Sequence, residues 1–120
     1  MLKKVIPLLL LIAIAYNCKD IIEVEDISEA RIIILAPSNN STIQMSTINF
    51  AWQPLVYGDN YQLQIATPDF ENPIQIVEDT IISIPNFTKT LPENSYQWRV
   101  KAVNFAFETQ YTTQNLTIEE

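Results

Sequence analysis

The residue with the most distinctive chemistry in this 120-residue chain is its only cysteine, Cys18. Lys3 and Lys4 form a basic start, and an uncharged apolar run, residues 5–15, leads up to the cysteine. A basic start, a short apolar segment and a processing site follow one another in this order in export signals. The run has about 11 residues, whereas a helix that spans a bilayer needs about 20. Cys18 therefore stands where an export signal would be cut.

This arrangement resembles the signal of bacterial lipoproteins. The resemblance implies removal of residues 1–17 and lipidation of Cys18, which would anchor the chain to a membrane. In that family, small apolar residues usually precede the cysteine, whereas Tyr16 and Asn17 stand there in this chain. The alternative is an ordinary secretory signal cut after Ala15, which leaves a free thiol near the new N-terminus. An unpaired cysteine is a liability in an exported protein, and lipidation accounts for it.

Missing residue types exclude most kinds of catalytic site. The chain has no histidine, which excludes Ser-His-Asp and Cys-His catalysis and zinc held by histidine. A single cysteine forms neither an internal disulfide nor a cysteine-based zinc site, and a single glycine, Gly58, does not make a phosphate-binding loop. Carboxylate pairs of the glycosidase type remain as an enzymatic alternative, but a domain of this size offers little cleft for them. We therefore expect a non-enzyme without cofactor or metal.

The balance of charges restricts the partners. Seven basic residues face fourteen acidic residues, and without Lys3 and Lys4 the net charge is −9. Proteins that bind nucleic acid need basic residues to neutralise phosphates, so nucleic acid is excluded as a partner. The chain also lacks the basic patch that would attract it to anionic lipids, so membrane contact is expected through the lipid alone.

Residues 18–30 are expected to form a lipidated cysteine followed by an acidic tether. Five acidic residues lie in this stretch: Asp20, Glu23, Glu25, Asp26 and Glu29. One interpretation is a solvated linker. The other is an address, because acidic residues close behind the lipidated cysteine resemble the signal that sends Bacteroidota lipoproteins to the outer face of the outer membrane. We expect a lipid-anchored protein of the outer membrane, on its periplasmic or cell-surface side.

From Arg31 onward the chain reads as short strands separated by turn residues. Apolar and polar residues alternate in residues 48–52, 61–65 and 96–102, as in antiparallel sheets with one solvated face. Further strand-like segments lie at residues 31–36, 74–78, 82–84 and 111–118. About seven short strands without a helical stripe predict an all-β protein, a seven-stranded antiparallel β-sandwich of the immunoglobulin-like class over residues 31–118.

Three segments resemble the fibronectin type III family. Residues 91–102, LPENSYQWRVKA, are similar to the family's Leu-Pro, turn, Tyr and Trp-Arg-Val pattern, and residues 60–66 and 48–52 are similar to its third and second strands. The resemblance implies fibronectin type III topology. It also implies that Tyr96 forms the tyrosine corner, in which the hydroxyl bonds back to nearby backbone. Trp52 and Trp98 are then core residues and not ligand contacts.

The same topology implies that three loops share one end of the sandwich. They would contain residues 57–59, 78–80 and 104–108. The candidate binding residues are Tyr57, Asp59, Phe105 and Phe107, and the alternative for the two phenylalanines is that they fold back onto the core. Two functions follow: a protein-interaction module of a bacterial envelope assembly, which binds through these loops or an edge strand, and a surface glycan-binding accessory protein.

One short motif suggests a covalent modification. Asp79-Thr80-Ile81 resembles the acceptor site of O-glycosylation in Bacteroidota, which makes Thr80 the candidate residue. Three residues also occur together by chance, and that alternative stays open.

Overall fold

The structure, a computed structural model, describes residues 23–120. The predicted signal and the lipidation residue Cys18 lie outside the described residues. The described part contains eight β-strands and no helix, so within it no helix has the length and apolar character needed to cross a membrane. The strands are β1 (Ile34–Ala36), β2 (Ser41–Ile43), β3 (Thr47–Trp52), β4 (Asn60–Thr67), β5 (Gln75–Ile82), β6 (Asn86–Thr90), β7 (Asn94–Val103) and β8 (Thr112–Ile118).

The strands form two sheets that pack face to face. The three-stranded sheet has the order β1-β3-β6, and the five-stranded sheet has the order β2-β8-β7-β4-β5. The predicted all-β sandwich is confirmed. Strand alternation places one face of each strand in the core, as in β7, where every second residue from Tyr96 to Ala102 is buried.

Two tryptophans fill the centre of the core, as the sequence predicts. Trp52 and Trp98 are almost completely buried, and the Phe50 and Trp98 rings meet edge to face at 4.8 Å between centroids. Trp52 makes a similar contact with Tyr61 at 5.5 Å. Each such aromatic side chain removes on the order of 200 Å² of surface from water, so these side chains stabilise the contact between the sheets.

The tyrosine corner is also present. The Tyr96 hydroxyl donates a hydrogen bond of 2.6 Å to the carbonyl oxygen of Pro92, four residues earlier, and this bond pins the connection between β6 and β7. Burial raises the pKa of Tyr96 above its ordinary value. The hydroxyl therefore stays protonated, and able to donate, at every pH at which an exposed tyrosine is protonated.

The sandwich differs from the predicted one by an eighth strand. Pro37 ends β1, and Asn40 adopts a left-handed conformation with φ 62°, which directs the chain from the edge of one sheet to the edge of the other. The Asn40 amide then donates to the Asn115 carbonyl at 2.9 Å, and β2 runs parallel to β8, with Ser41 opposite Leu116. The sheets are therefore antiparallel except for this one pair.

Residues 74–84 also differ from the prediction, because a single strand, β5 (Gln75–Ile82), lies where two were expected. Asp79 and Thr80 resemble a turn in sequence, yet both lie inside β5, opposite Gln64 and Leu63. The regular pairing of Glu78–Ile82 with β4 outweighs the weak turn preference of these two residues. The next strand is β6, in the stretch where the sequence pattern gives no clear register.

The packed part of the chain begins before Arg31. Ile27 is buried in the core and Ala30 packs against it. Residues 23–26 lie on the surface, apart from half-buried Val24. The second half of the predicted tether is thus attached to the sandwich and is not a free solvated linker.

Candidate functional site at the loop end

Three segments meet at one end of the sandwich, and we call this surface the loop end. It consists of the N-terminal segment 23–26, the turn 55–59 between β3 and β4, and the turn 104–107 between β7 and β8. The sequence places four candidate binding residues here, in the two turns, and the structure brings both turns together with the N-terminal segment.

Tyr57 lies on a strained turn. The Gly58 amide donates to the Leu55 carbonyl at 3.0 Å, which closes a four-residue turn with Tyr57 in its third position. Tyr57 has a φ of 71°, in the left-handed region that this position of a type II turn requires. A residue with a β-carbon pays roughly 1–2 kcal/mol in this conformation. This turn directs the Tyr57 side chain away from the core, and the side chain is 62% exposed.

The only glycine follows Tyr57 for a different reason. Gly58 does not adopt a positive φ. A β-carbon at this position would lie 3.3 Å from both the Ala102 β-carbon and the Leu55 carbonyl oxygen. Gly58 therefore allows the turn to pack closely against β7, while the conformational strain falls on the neighbouring tyrosine.

Asn104 joins all three segments of the loop end. Its side-chain amide donates to the carbonyl oxygens of Glu25 at 2.9 Å and Tyr57 at 3.1 Å. Its side-chain oxygen accepts from the backbone amides of Ala106 and Phe107. One side chain thus caps its own turn and ties that turn to the other two segments. The strand and turn pattern of the sequence does not predict this role, although an asparagine at the start of a turn is the usual signal for such capping.

The two phenylalanines of the last turn have different environments. Phe105 is 89% exposed, whereas Phe107 is half-buried and packs against the core. The backbone amide of Asn104 donates to the backbone carbonyl of Phe107 at 2.9 Å, which fixes this turn with Phe105 at its tip. Asp59 is exposed, and its amide donates to the Val103 carbonyl. Tyr57, Asp59 and Phe105 are therefore the accessible candidates.

A shallow groove of about 350 Å³ runs between these residues. Its walls are formed by Tyr57, Phe105, Asn104 and the carboxylate-bearing residues Glu23, Glu25 and Asp59, together with Val24. Aromatic faces beside carboxylates and an amide suit a cationic peptide side chain or the hydroxyl groups of a sugar. None of the described residues that line the groove is basic, so its acidic lining suits a positively charged or hydroxyl-rich ligand.

The comparisons with known proteins concern the fold. The sequence matches no protein-family model and no curated protein. The structure is similar to the fn3 domain of human collagen alpha-1(XX) chain, with a TM-score of 0.57, 12% identity, and coverage of 78% of this chain and 90% of that one. It is similar as well to the fibronectin(III)-like modules of Clostridium thermocellum CbhA, with a TM-score of 0.54, 6% identity, and coverage of 74% and 96%. The fold is that of a fibronectin type III domain.

A third solved structure agrees with this assignment. An Fn3-like protein from Clostridium thermocellum superposes with a TM-score of 0.50 at 17% identity, covering 75% of this chain and 90% of that one. At such low identity the likeness concerns the fold alone. The predicted fibronectin type III topology is thereby confirmed.

One predicted loop of this fibronectin type III fold is wrong. Residues 78–80 do not belong to the loop end, because they lie inside β5. Thr80 is half-buried and stands opposite the fully buried Leu63, so it lies on the side of the strand that faces the other sheet. The loop after β5 consists instead of residues 83–85, where Ile84 is exposed.

The outer face of the five-stranded sheet of the fibronectin type III fold holds a cluster of polar and aromatic side chains around Arg99. The Arg99 guanidinium lies 4.0 Å from the centroid of the Phe70 ring and 4.3 Å from that of the Tyr111 ring. Its Nε donates to the Gln64 side chain at 2.8 Å, and Lys101 forms an ion pair with Glu108. The sequence predicts Arg99 on this face but not the two rings, which come from loops. Within residues 23–120, no cluster of three acidic, histidine or cysteine side chains is arranged to hold a metal ion.

Proposed function

We propose that this chain is a non-enzymatic, lipid-anchored interaction module that binds a protein partner in a bacterial envelope assembly. In this proposal, Cys18 carries the lipid at the outer membrane, and the fibronectin type III sandwich presents its loop end to the partner. A rigid sandwich that holds binding residues on loops is a common solution for recognition without catalysis.

The observation that carries this proposal is the exposure of Tyr57 and Phe105 on turns that are firmly held. Tyr57 is kept outward at the expense of backbone strain, and strained residues concentrate at functional sites. Phe105 stands at the tip of a turn that Asn104 caps. Exposed aromatic side chains on rigid supports are typical of the anchors that dominate binding energy.

The N-terminal segment supports a partner close to the membrane. Glu25 contacts Asn104 at the loop end and lies seven residues after Cys18 in the sequence. Seven residues span at most about 25 Å when fully extended. A lipid on Cys18 would therefore keep the loop end within that distance of the bilayer, where a membrane-associated partner is within reach.

The test is capture of the partner from envelope membranes by cross-linking. The full chain is compared with the double variant Tyr57→Ala/Phe105→Ala, which removes both aromatic anchors and leaves the core residue Phe107 in place. The matched control is Ile33→Ala/Leu35→Ala, because these two side chains are also large, apolar and exposed but lie on or next to β1.

We expect the loop-end variant to lose the cross-linked partner, with a melting temperature within a few degrees of the parent, while the control retains the partner. Substituting exposed loop residues usually changes the free energy of unfolding by less than about 0.5 kcal/mol. Equal losses in both variants, or a partner retained by the loop-end variant, would contradict the proposal.

A surface glycan is the second candidate ligand, and the groove at the loop end favours it. An aromatic ring stacks on a sugar, and the Asp59 and Glu25 carboxylates suit its hydroxyl groups. A glycan array separates the two candidates, since specific retention that depends on Tyr57 and Phe105 would support the glycan. Glycosylation of Thr80 stays a separate proposal, which the intact mass of the protein from its host and of a Thr80→Val variant would test.

A further inference from the structure

Strand β5 leaves the longest unpaired edge of the described structure. It lies at the end of the five-stranded sheet, pairs with β4 alone and has eight residues, whereas the opposite edge strand β2 has three. A β-bulge beside Val77 interrupts the pairing, so Glu78–Ile82 is the regular part of this edge. About half of the backbone amides and carbonyls of an edge strand point away from its single neighbour and can pair with another chain.

Apolar side chains accompany this edge. Ile81 is 63% exposed, Ile76 is about half exposed, and Ile74 and Ile84 are exposed just beyond the two ends of the strand. Edge strands are ordinarily protected by lysine, proline or inward-pointing charges. Glu78 is the inward charge here, but it is held by Lys89 of β6 at 3.1 Å and so closes the seam between the sheets. The outer row Ile76, Asp79 and Ile81 remains accessible.

A cleft beside the strand provides room for a further side chain. It has a volume of about 360 Å³ and lies on the seam between the two sheets, with Val77 of β5 and Lys89 of β6 among its walls. Leu91 and Tyr96 form its buried floor. A strand added to β5 would place every second side chain towards this seam.

The charge of the edge determines the kind of strand that fits. Asp79 is exposed in the middle of the outer row and accepts a hydrogen bond from the Gln62 side chain. Two copies of β5 that pair symmetrically about Asp79 or Glu78 would set like carboxylates opposite each other, which destabilises a sheet. Of the four basic residues in the described part, Lys89 and Lys101 are in ion pairs and Arg99 is stacked between rings. The exposed Asp79 carboxylate of the edge therefore favours a basic partner.

We propose that the β5 edge accepts an extended segment of a partner protein as an added strand, with a lysine or arginine opposite Asp79 and apolar residues beside Ile76 and Ile81. This inference rests on the proposed function as an interaction module, and it names a second surface and the chemistry of its ligand. The added strand forms backbone hydrogen bonds along Glu78–Ile82 and extends the five-stranded sheet.

The test uses two synthetic peptides and the full chain. In the first peptide, valine and threonine alternate around a central lysine; in the second, glutamate replaces the lysine. We expect the lysine peptide to bind about fivefold more tightly than the glutamate peptide, since an opposite-charge pair across strands contributes up to about 1 kcal/mol. Bound lysine peptide should slow amide hydrogen exchange in residues 78–82. The variant Asp79→Lys should reverse the preference between the peptides.

The matched control is Glu119→Lys, which makes the same change of charge at an exposed residue just after β8, three strand positions away from β5, and should leave the preference unchanged. An equal effect of both substitutions would overturn the proposal, because binding would then follow net charge alone. Absence of binding by either peptide, or a dimer of the chain that Asp79→Lys dissociates, would overturn it as well. A partner that is still captured through Tyr57 and Phe105 would leave the proposed function intact in each of these cases.

Discussion

Tyr57 has a backbone conformation that glycine adopts without strain. Replacing it by glycine should therefore favour stability but remove the aromatic side chain that we propose for partner binding. Tyr57→Gly relieves a cost of roughly 1–2 kcal/mol and adds roughly 0.5–1 kcal/mol of chain entropy loss on folding. We expect the free energy of unfolding to stay equal or rise by up to about 1.5 kcal/mol, measured by denaturant titration, while partner capture weakens.

The neighbouring residue provides the control for this prediction. Val56 is also exposed and has no positive φ, so Val56→Gly should lower the free energy of unfolding by roughly 0.5–1 kcal/mol. If Tyr57→Gly were as destabilising as Val56→Gly, the strain at Tyr57 would not exist.

Tyr96 links the stability of the domain to alkaline pH. Burial raises its pKa in the folded state above the ordinary value of 10.0, so the folded state binds this proton more tightly than the unfolded state. The stabilisation is therefore complete below about pH 10 and is lost as the pH rises through the raised pKa. Thermal melts should show this loss in the parent, and a smaller loss in Tyr96→Phe.

The same substitution has a cost at neutral pH. Tyr96→Phe removes the hydrogen bond to the Pro92 carbonyl and should lower the free energy of unfolding by about 1–3 kcal/mol. Tyr111→Phe is the comparison, because Tyr111 is only half-buried and its ring can still stack on Arg99. Equal alkaline behaviour in Tyr96→Phe and the parent would show that another group controls the transition.

At the scale of elements, Asn104 connects one turn to two other segments. Asn104→Ala should lower the free energy of unfolding by about 1–3 kcal/mol, because several backbone groups lose a partner. Hydrogen exchange should become faster in residues 23–27 and 55–59 and also within the turn 104–107.

Asn104→Asp separates the two roles of this side chain. It retains an oxygen acceptor for the Ala106 and Phe107 amides but loses the donors to Glu25 and Tyr57. We expect faster exchange in residues 23–27 with continued protection of the Phe107 amide. Faster exchange at Phe107 as well would mean that the turn depends on its contacts with the other segments.

The strands also differ in how well they can be predicted from the sequence. Alternation predicts β3, β4 and β7 because each of their side chains faces either the core or the solvent. It fails at β5, where the edge position and the bulge blur the two faces, and at β2, which is too short to carry a pattern. The different burial of Phe105 and Phe107 depends on a capped turn, and the rings around Arg99 come from distant loops, so neither follows from spacing alone.

At the scale of the whole molecule, the proposed anchor determines where the domain acts. Cys18→Ser should move the protein from the membrane fraction to the soluble fraction, as measured by fractionation and immunoblotting. Mass spectrometry of the mature N-terminus provides the second readout, and we expect a lipidated residue 18. A Cys18→Ser variant that stays in the membrane fraction, or a mature chain that begins at Tyr16, would contradict lipid anchoring.

The parallel pairing of β2 with β8 has a mechanical consequence. The chain enters β2 at Ser41, beside Leu116, and leaves β8 after Ile118, beside Ile43. When the two ends of the domain are pulled apart, the two strands are drawn in opposite directions along their length, and their hydrogen bonds are loaded together in shear. Bonds loaded side by side must break at once, whereas bonds at the end of a hairpin break one after another. If the proposed lipid on Cys18 holds the N-terminus, a force between that anchor and the residues after Ile118 therefore loads the hydrogen bonds between β2 and β8 in shear.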